Sequence, residues 1–69
     1  MKTVFSFHAQ KRMKQRGITE LEALYILQFP LYVKNSADGT KEAVAMLNNR
    51  RIKIVFIHRV NYIKVITVM

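Results

Sequence analysis

The 69 residues carry 12 Lys and Arg against 4 Asp and Glu, a formal net charge of +8, with 51% apolar residues and no cysteine. A chain this short makes one domain, residues 1–69, that buries only about 60% of its unfolded surface. Without cysteine it has neither a disulfide staple nor a Cys/His zinc pattern. No apolar run reaches the roughly 20 residues of a membrane span. The segment Met1–His8 lacks an apolar signal core, so the expectation is a cytoplasmic soluble protein with no membrane partner.

The order of elements follows from local signals. Residues 2–5 suit a short first strand or an arm. Ser6 can N-cap a helix over His8–Arg16, and Gly17 can close it in the left-handed conformation. Thr19-Glu20-Leu21-Glu22 reads as a capping box, with Ile18 able to staple onto Ala23, and starts a second helix over Glu20–Gln28. Leu21, Leu24, Ile26 and Leu27 cover most of that helix's circumference, which predicts that it is largely buried. Phe29-Pro30 stops it.

Strands follow. Leu31–Lys34 is short, Ser36–Thr40 is a turn centred on Asp38-Gly39, and Lys41–Leu47 is apolar on both faces and ambiguous with helix. Asn48-Asn49 is a turn before a strand over Arg51–Arg59, and Val60-Asn61 makes a tight hairpin to Tyr62–Val68. The expected fold is α+β, with two N-terminal helices on one side of an antiparallel sheet of about four strands. In the last hairpin a two-residue loop sets His58 opposite Ile63, Phe56 opposite Val65 and Ile54 opposite Thr67. Ile52, Ile54, Phe56, His58, Ile63, Val65 and Thr67 then share the helix-covered face, and Arg51, Lys53, Arg59, Tyr62 and Lys64 share the more open one with Val55, Ile57, Ile66 and Val68. A one-residue change in the pairing would exchange these assignments.

Charge distribution points to a partner. The four acids, Glu20, Glu22, Asp38 and Glu42, all lie between residues 20 and 42. Outside that window stand two cation-only clusters, Lys11, Arg12, Lys14 and Arg16, and then Arg50, Arg51, Lys53, Arg59 and Lys64. Folded together they would form a surface that attracts phosphate, with RNA as the expected partner. Lys11, Lys14, Arg51, Lys53, Arg59, Tyr62 and Lys64 are the expected contacts, Tyr62 by stacking on a base. A solvated basic face with nothing bound is the competing reading.

Chemistry is limited to a few side chains. His8, Arg12 and Arg16, spaced i, i+4, i+8, form one helical stripe of mutually repelling groups that a bound phosphate would relieve. His58 is the other histidine, and Thr67 the hydroxyl of the last strand. A hydrogen-bonded boundary histidine and an ordinary β-strand threonine are the commoner readings of these two. Clustered carboxylates for Mg²⁺, a cysteine nucleophile and a Gly-rich phosphate loop are absent from the sequence, so no cofactor or metal is expected. Metal-free RNA cleavage needs only a base, an acid and cations around the phosphorus.

Phe7-His8-Ala9, then Arg12-Met13-Lys14-Gln15-Arg16-Gly17-Ile18-Thr19, together with Lys64-Val65-Ile66-Thr67-Val68, resembles a family of small bacterial and phage domains of unknown function. Its members carry a His-Ala-x-x-Arg-Met-x-x-Arg-Gly-Ile helix and a Val-Ile-Thr-Val-like last strand, and the similarity spans nearly the whole chain. The family is thought to be related to the barnase–EndoU–colicin–RelE group of metal-independent ribonucleases. The resemblance implies a RelE-like fold with a cleft between the first helix and the last strands, holding His8, Arg12, Arg16 and Thr67. His58 is added by the strand alternation alone. RelE-like toxins work with a small antitoxin, which would be a second partner. The resulting expectation is a toxin-type, metal-independent endoribonuclease, with a non-catalytic nucleic-acid-binding module or a protein-binding adaptor as the alternatives. The RNA substrate and the oligomeric state are not written in the sequence.

Overall fold

The computed structural model describes residues 2–69. In chain order its elements are β1 (Lys2–Phe5), α1 (Phe7–Arg16), α2 (Glu20–Gln28), β2 (Tyr32–Asn35), β3 (Lys41–Leu47), β4 (Arg50–His58) and β5 (Tyr62–Val68). The strands form one five-stranded sheet in the order β1-β5-β4-β3-β2. β2 through β5 pair antiparallel, as expected. β1 adds a fifth strand, parallel to β5, with Lys2 opposite Tyr62 and Phe5 opposite Val65. The sheet is therefore mixed. Residues 2–5 and 62–65 lie at opposite ends of the chain, and no local pattern could announce that pairing.

Local chemistry sets the helix ends. The Ser6 hydroxyl accepts from the Ala9 amide at 3.0 Å, and Gly17 closes α1 with φ 69°. There a side chain would be strained. The capping box on α2 is complete: Glu22 N donates to Thr19 Oγ1 at 3.1 Å, and Thr19 N donates to Glu22 Oε1 at 2.9 Å. Asn48 and Asn49, with φ 52° and 65°, turn β3 into β4. Both residues tolerate the left-handed region that a two-residue hairpin demands.

Both helices pack on the same face of the sheet. Ala9 and Met13 of α1 and Ala23 and Ile26 of α2 meet Ala43, Ala45, Ile52, Ile54, Phe56, Val65 and Val68. Alanines at facing positions of α2 and β3 let backbones approach closely, so no leucine enters the fully buried core. The prediction that α2 is largely buried fails for this reason. Its contact with the sheet is a narrow stripe through Ala23 and Ile26, and among the described residues nothing covers its outer side. Leu21 is 79% exposed and Tyr25 56%.

One irregularity decides where side chains point. Phe56 pairs with Val65 but Val55 pairs with Thr67, leaving Ile66 as an extra residue in β5. Such a bulge switches every later side chain to the opposite face. Ile54 therefore faces Val68, which is fully buried, and Thr67 turns to the uncovered face beside Val55. The expected pairing of Ile54 with Thr67, and the expected placing of Thr67 on the covered face and Val68 on the open one, are overturned by this single residue. His58 opposite Ile63 and Phe56 opposite Val65 are found as expected. Among the described residues no helix is long and apolar enough to cross a membrane.

Candidate nucleic-acid interface

The face of the sheet that the helices leave open collects the cations. By alternation β1 contributes Lys2, β5 contributes Tyr62, Lys64 and Thr67, and β4 contributes Arg51, Lys53, Val55 and Ile57. β3 adds Glu42, Val44 and Met46, and the edge strand β2 adds Tyr32 and Lys34. Glu42 is the one carboxylate side chain in this set, and its Oε1 lies 3.6 Å from Lys53 Nζ. The sequence-level expectation of an open face bearing Arg51, Lys53, Tyr62 and Lys64 agrees with this register. Arg59 lies at the hairpin, where its amide donates to Tyr62 O at 2.8 Å, and is exposed.

Helix α1 lies along β5 beyond the point where β1 ends. There β5 would otherwise leave its outer carbonyls without partners. Ser6 donates its hydroxyl to Ile66 O at 2.8 Å, in the bulge, and Arg12 donates Nε to Val68 O at 3.4 Å. The half-buried Arg12 keeps its remaining guanidinium N–H groups for another acceptor. One turn further on, Arg16 reaches the end of the open face, and its carbonyl accepts from Arg50 Nη1 at 2.9 Å. One turn earlier, about 6 Å along the axis, His8 is exposed. The stripe His8–Arg12–Arg16 thus runs beside the bulge that turns Thr67 outward.

At the Arg16 end the face deepens into a cavity of about 430 Å³. Arg16, Lys34, Arg51 and Lys53 line it, with Glu42 and Tyr32. Arg51 donates to the Tyr32 hydroxyl, and its guanidinium carbon lies 5.8 Å from the centre of the Tyr32 ring.

Not all the sequence candidates gather here. His58 projects from the helix-side face near the hairpin, five residues along β4 from Lys53, or roughly 17 Å. It is thus separated from the cavity and on the other side of the sheet. Lys11 and Lys14 lie on the far side of α1, along a shallow apolar groove with Phe7 and Gln10. Neither belongs to the open face. Tyr32, Lys34 and Glu42, which do, were not anticipated. The alternation of Glu42, Val44 and Met46 with Ala43, Ala45 and Leu47 was the signal that could have placed β3, and through it β2. Among the described residues no three His, Asp or Glu come together as a metal site would require.

Taken together this is an open α+β sandwich with one covered face and one cationic face. The chain belongs to the family described as a domain of unknown function, DUF4258, which it matches over residues 5–69. No curated protein and no solved structure matches it significantly.

Proposed function

We propose that this chain is an RNA-directed protein that works through the open sheet face, and that its chemistry is metal-independent RNA cleavage of the RelE-like toxin type. The observation that supports it is segregation: Arg16, Lys34, Arg51, Lys53 and Lys64 converge on one side of the sheet against a single carboxylate already paired with a lysine. A cationic surface of this kind lowers the free energy of a phosphodiester chain by releasing its counterions. An uncovered sheet face with tyrosines suits single strands, whose bases are free to stack.

Cleavage would proceed by attack of a ribose 2′-oxygen on the adjacent phosphorus. A base takes the 2′ proton, the P–O5′ bond breaks, and an acid returns a proton to the departing 5′-oxygen, leaving a 2′,3′-cyclic phosphate. His8 is assigned one proton transfer, Arg12 and Arg16 the phosphorane charge, and Thr67 a hydrogen bond to phosphate. A small antitoxin-like protein is the second partner in this reading. Non-catalytic RNA binding is the competing reading, favoured by the placement of His8 and His58 on separate parts of the molecule.

The test is a titration of a mixed-sequence single-stranded RNA at low and moderate salt, with its integrity followed in excess EDTA. Binding that weakens steeply with salt, and cleavage that survives EDTA but fails at a 2′-deoxy scissile position, are expected. Absent binding at low salt removes both RNA readings. Binding without cleavage leaves the non-catalytic one.

A further inference from the structure

The cavity at the β2 edge holds more than phosphate-binding charge. A site for the backbone alone would need only cations. This one places an aromatic ring and a carboxylate among them: Tyr32, nearly half exposed, and Glu42, whose side chain is 23% exposed. They stand on adjacent strands, Tyr32 opposite Val44 and Lys34 opposite Glu42, so ring and carboxylate share one end of the open face. Neither suits a phosphate. A tyrosine ring adds an aromatic face that a phosphate does not use, and a carboxylate repels anions.

We propose that this cavity is a nucleobase subsite, with Tyr32 as the stacking platform and Glu42 as the acceptor that selects guanine. The inference rests on the RNA-directed reading above and names what that face recognises. The volume of about 430 Å³ suits a single nucleotide within the usual range of ligand pockets. Arg51, held beside the ring by its bond to the Tyr32 hydroxyl, keeps the platform oriented. Arg16 and Lys34, on either side, take the flanking phosphates. A Glu42 carboxylate has lone pairs to spare beyond its contact with Lys53. Guanine is the base whose Watson–Crick edge presents two neighbouring donors, N1–H and N2–H, and these match the two oxygens of a carboxylate. Adenine presents one donor next to an acceptor, which a carboxylate meets less well. Lys53 serves the subsite indirectly by holding the Glu42 carboxylate in place through their 3.6 Å contact.

The experiment compares three fluorescently labelled uridine hexamers carrying guanine, adenine or an abasic ribose at one central position, all with 2′-deoxy linkages flanking that position so that none is cleaved there. The guanine probe should bind tightest and the abasic one weakest, with stacking contributing about fivefold to a hundredfold. Tyr32→Leu should bring the base-bearing probes down towards the abasic level, and Tyr32→Phe should retain most of the difference. Glu42→Gln should erase the guanine preference without weakening the abasic probe, because it leaves Lys53 free for phosphate. Equal binding of all three probes by the unaltered protein overturns the subsite while leaving the RNA-directed reading intact. Failure of every probe to bind at low salt overturns both. Guanine preference that survives Glu42→Gln overturns the role of the carboxylate.

Discussion

β4 gives Ile52, Ile54 and Phe56 to the helix-covered face of the sheet, and Arg51, Lys53 and Val55 to the open one. The contrast extends to the elements on either side. From Gly17 to Val33 the chain contains no Lys, Arg or His, although cations make up 12 of its 69 residues. This stretch includes all of α2, whose outer side displays Leu21, Leu24 and Tyr25. The outer side of α2 thus carries apolar residues and acids but no cation, whereas the open face of the sheet is cationic. A net charge of +8 spread evenly would mean only solubility. Cations missing from α2 and gathered on the open face are what the proposed RNA-directed role requires of a polyanion met from one direction.

The largest effect should separate the two histidines. His8 lies on the stripe beside the β5 bulge, and His58 on the helix-side face. If His8 transfers a proton, His8→Gln should slow cleavage by about 10²- to 10⁴-fold while RNA binding stays within a few-fold. His58→Gln should change neither. Gel-resolved cleavage in EDTA, with binding followed separately, decides it. A large loss from His58→Gln and none from His8→Gln would contradict a site along the α1 stripe and the β5 bulge.

A smaller effect distinguishes the face from the net charge. Lys34→Ala with Lys64→Ala, and Lys11→Ala with Lys14→Ala, each remove two cations. The first pair lies on the open face and the second on the far side of α1. Anisotropy titrations over a salt series should lower the slope of log affinity against log salt by about 2 for the open-face pair and leave it nearly unchanged for the other. Equal losses from both pairs would mean that total charge, not a face, binds the RNA.

What could be read from the sequence was what neighbouring residues determine among themselves. Ser6, Gly17 and the Thr19–Glu22 box each act within one turn of helix, and all are found in place. Asp38-Gly39 and Asn48-Asn49 likewise turn the chain where expected. The features that escaped depend on distant partners. β1 finds β5 only in the folded sheet. The Ile66 bulge depends on how β5 meets both β4 and the Ser6 hydroxyl. The cavity escaped because Tyr32, Lys34 and Glu42 join it only through the β2–β3 register, and the apolar reading of Lys41–Leu47 hid the alternation within it. Arg12, Arg16, Arg51 and Lys53 were legible as a pair of charged clusters. That they meet at one end of the sheet was not.

The covered side can be tested by stability. Ile26 is fully buried, and Ile26→Ala should cost about 2–5 kcal/mol in urea unfolding. Leu21→Gln, on the same helix but on its exposed side, should stay within about 0.5 kcal/mol. Neither should alter RNA affinity in protein that remains folded. A Leu21→Gln cost rivalling that of Ile26→Ala would mean that the outer side of α2 is buried in solution.

The smallest effect concerns Asp38, in the turn joining β2 to β3 at the rim of the two sides. The Thr40 hydroxyl donates to Asp38 Oδ1 at 2.7 Å and the Thr40 amide at 3.1 Å. These bonds, the hydroxyl's first, hold the carboxyl below its ordinary range. A carboxyl whose pKa is lower in the folded state stabilises the fold fully above its unfolded pKa, and loses that contribution as pH falls through the folded value. Stability should therefore decline on the acid side, and part of the decline should belong to Asp38. Asp38→Asn keeps an oxygen acceptor for Thr40 but cannot titrate. Urea midpoints at about pH 6 and about pH 3 should differ less in this variant than in the unaltered protein. The difference is expected to be small, because Asp38 is fully exposed and water screens its interactions. If the two proteins lose stability equally between those pH values, the turn's hydrogen bonds do not distinguish the ionised carboxyl from its neutral form.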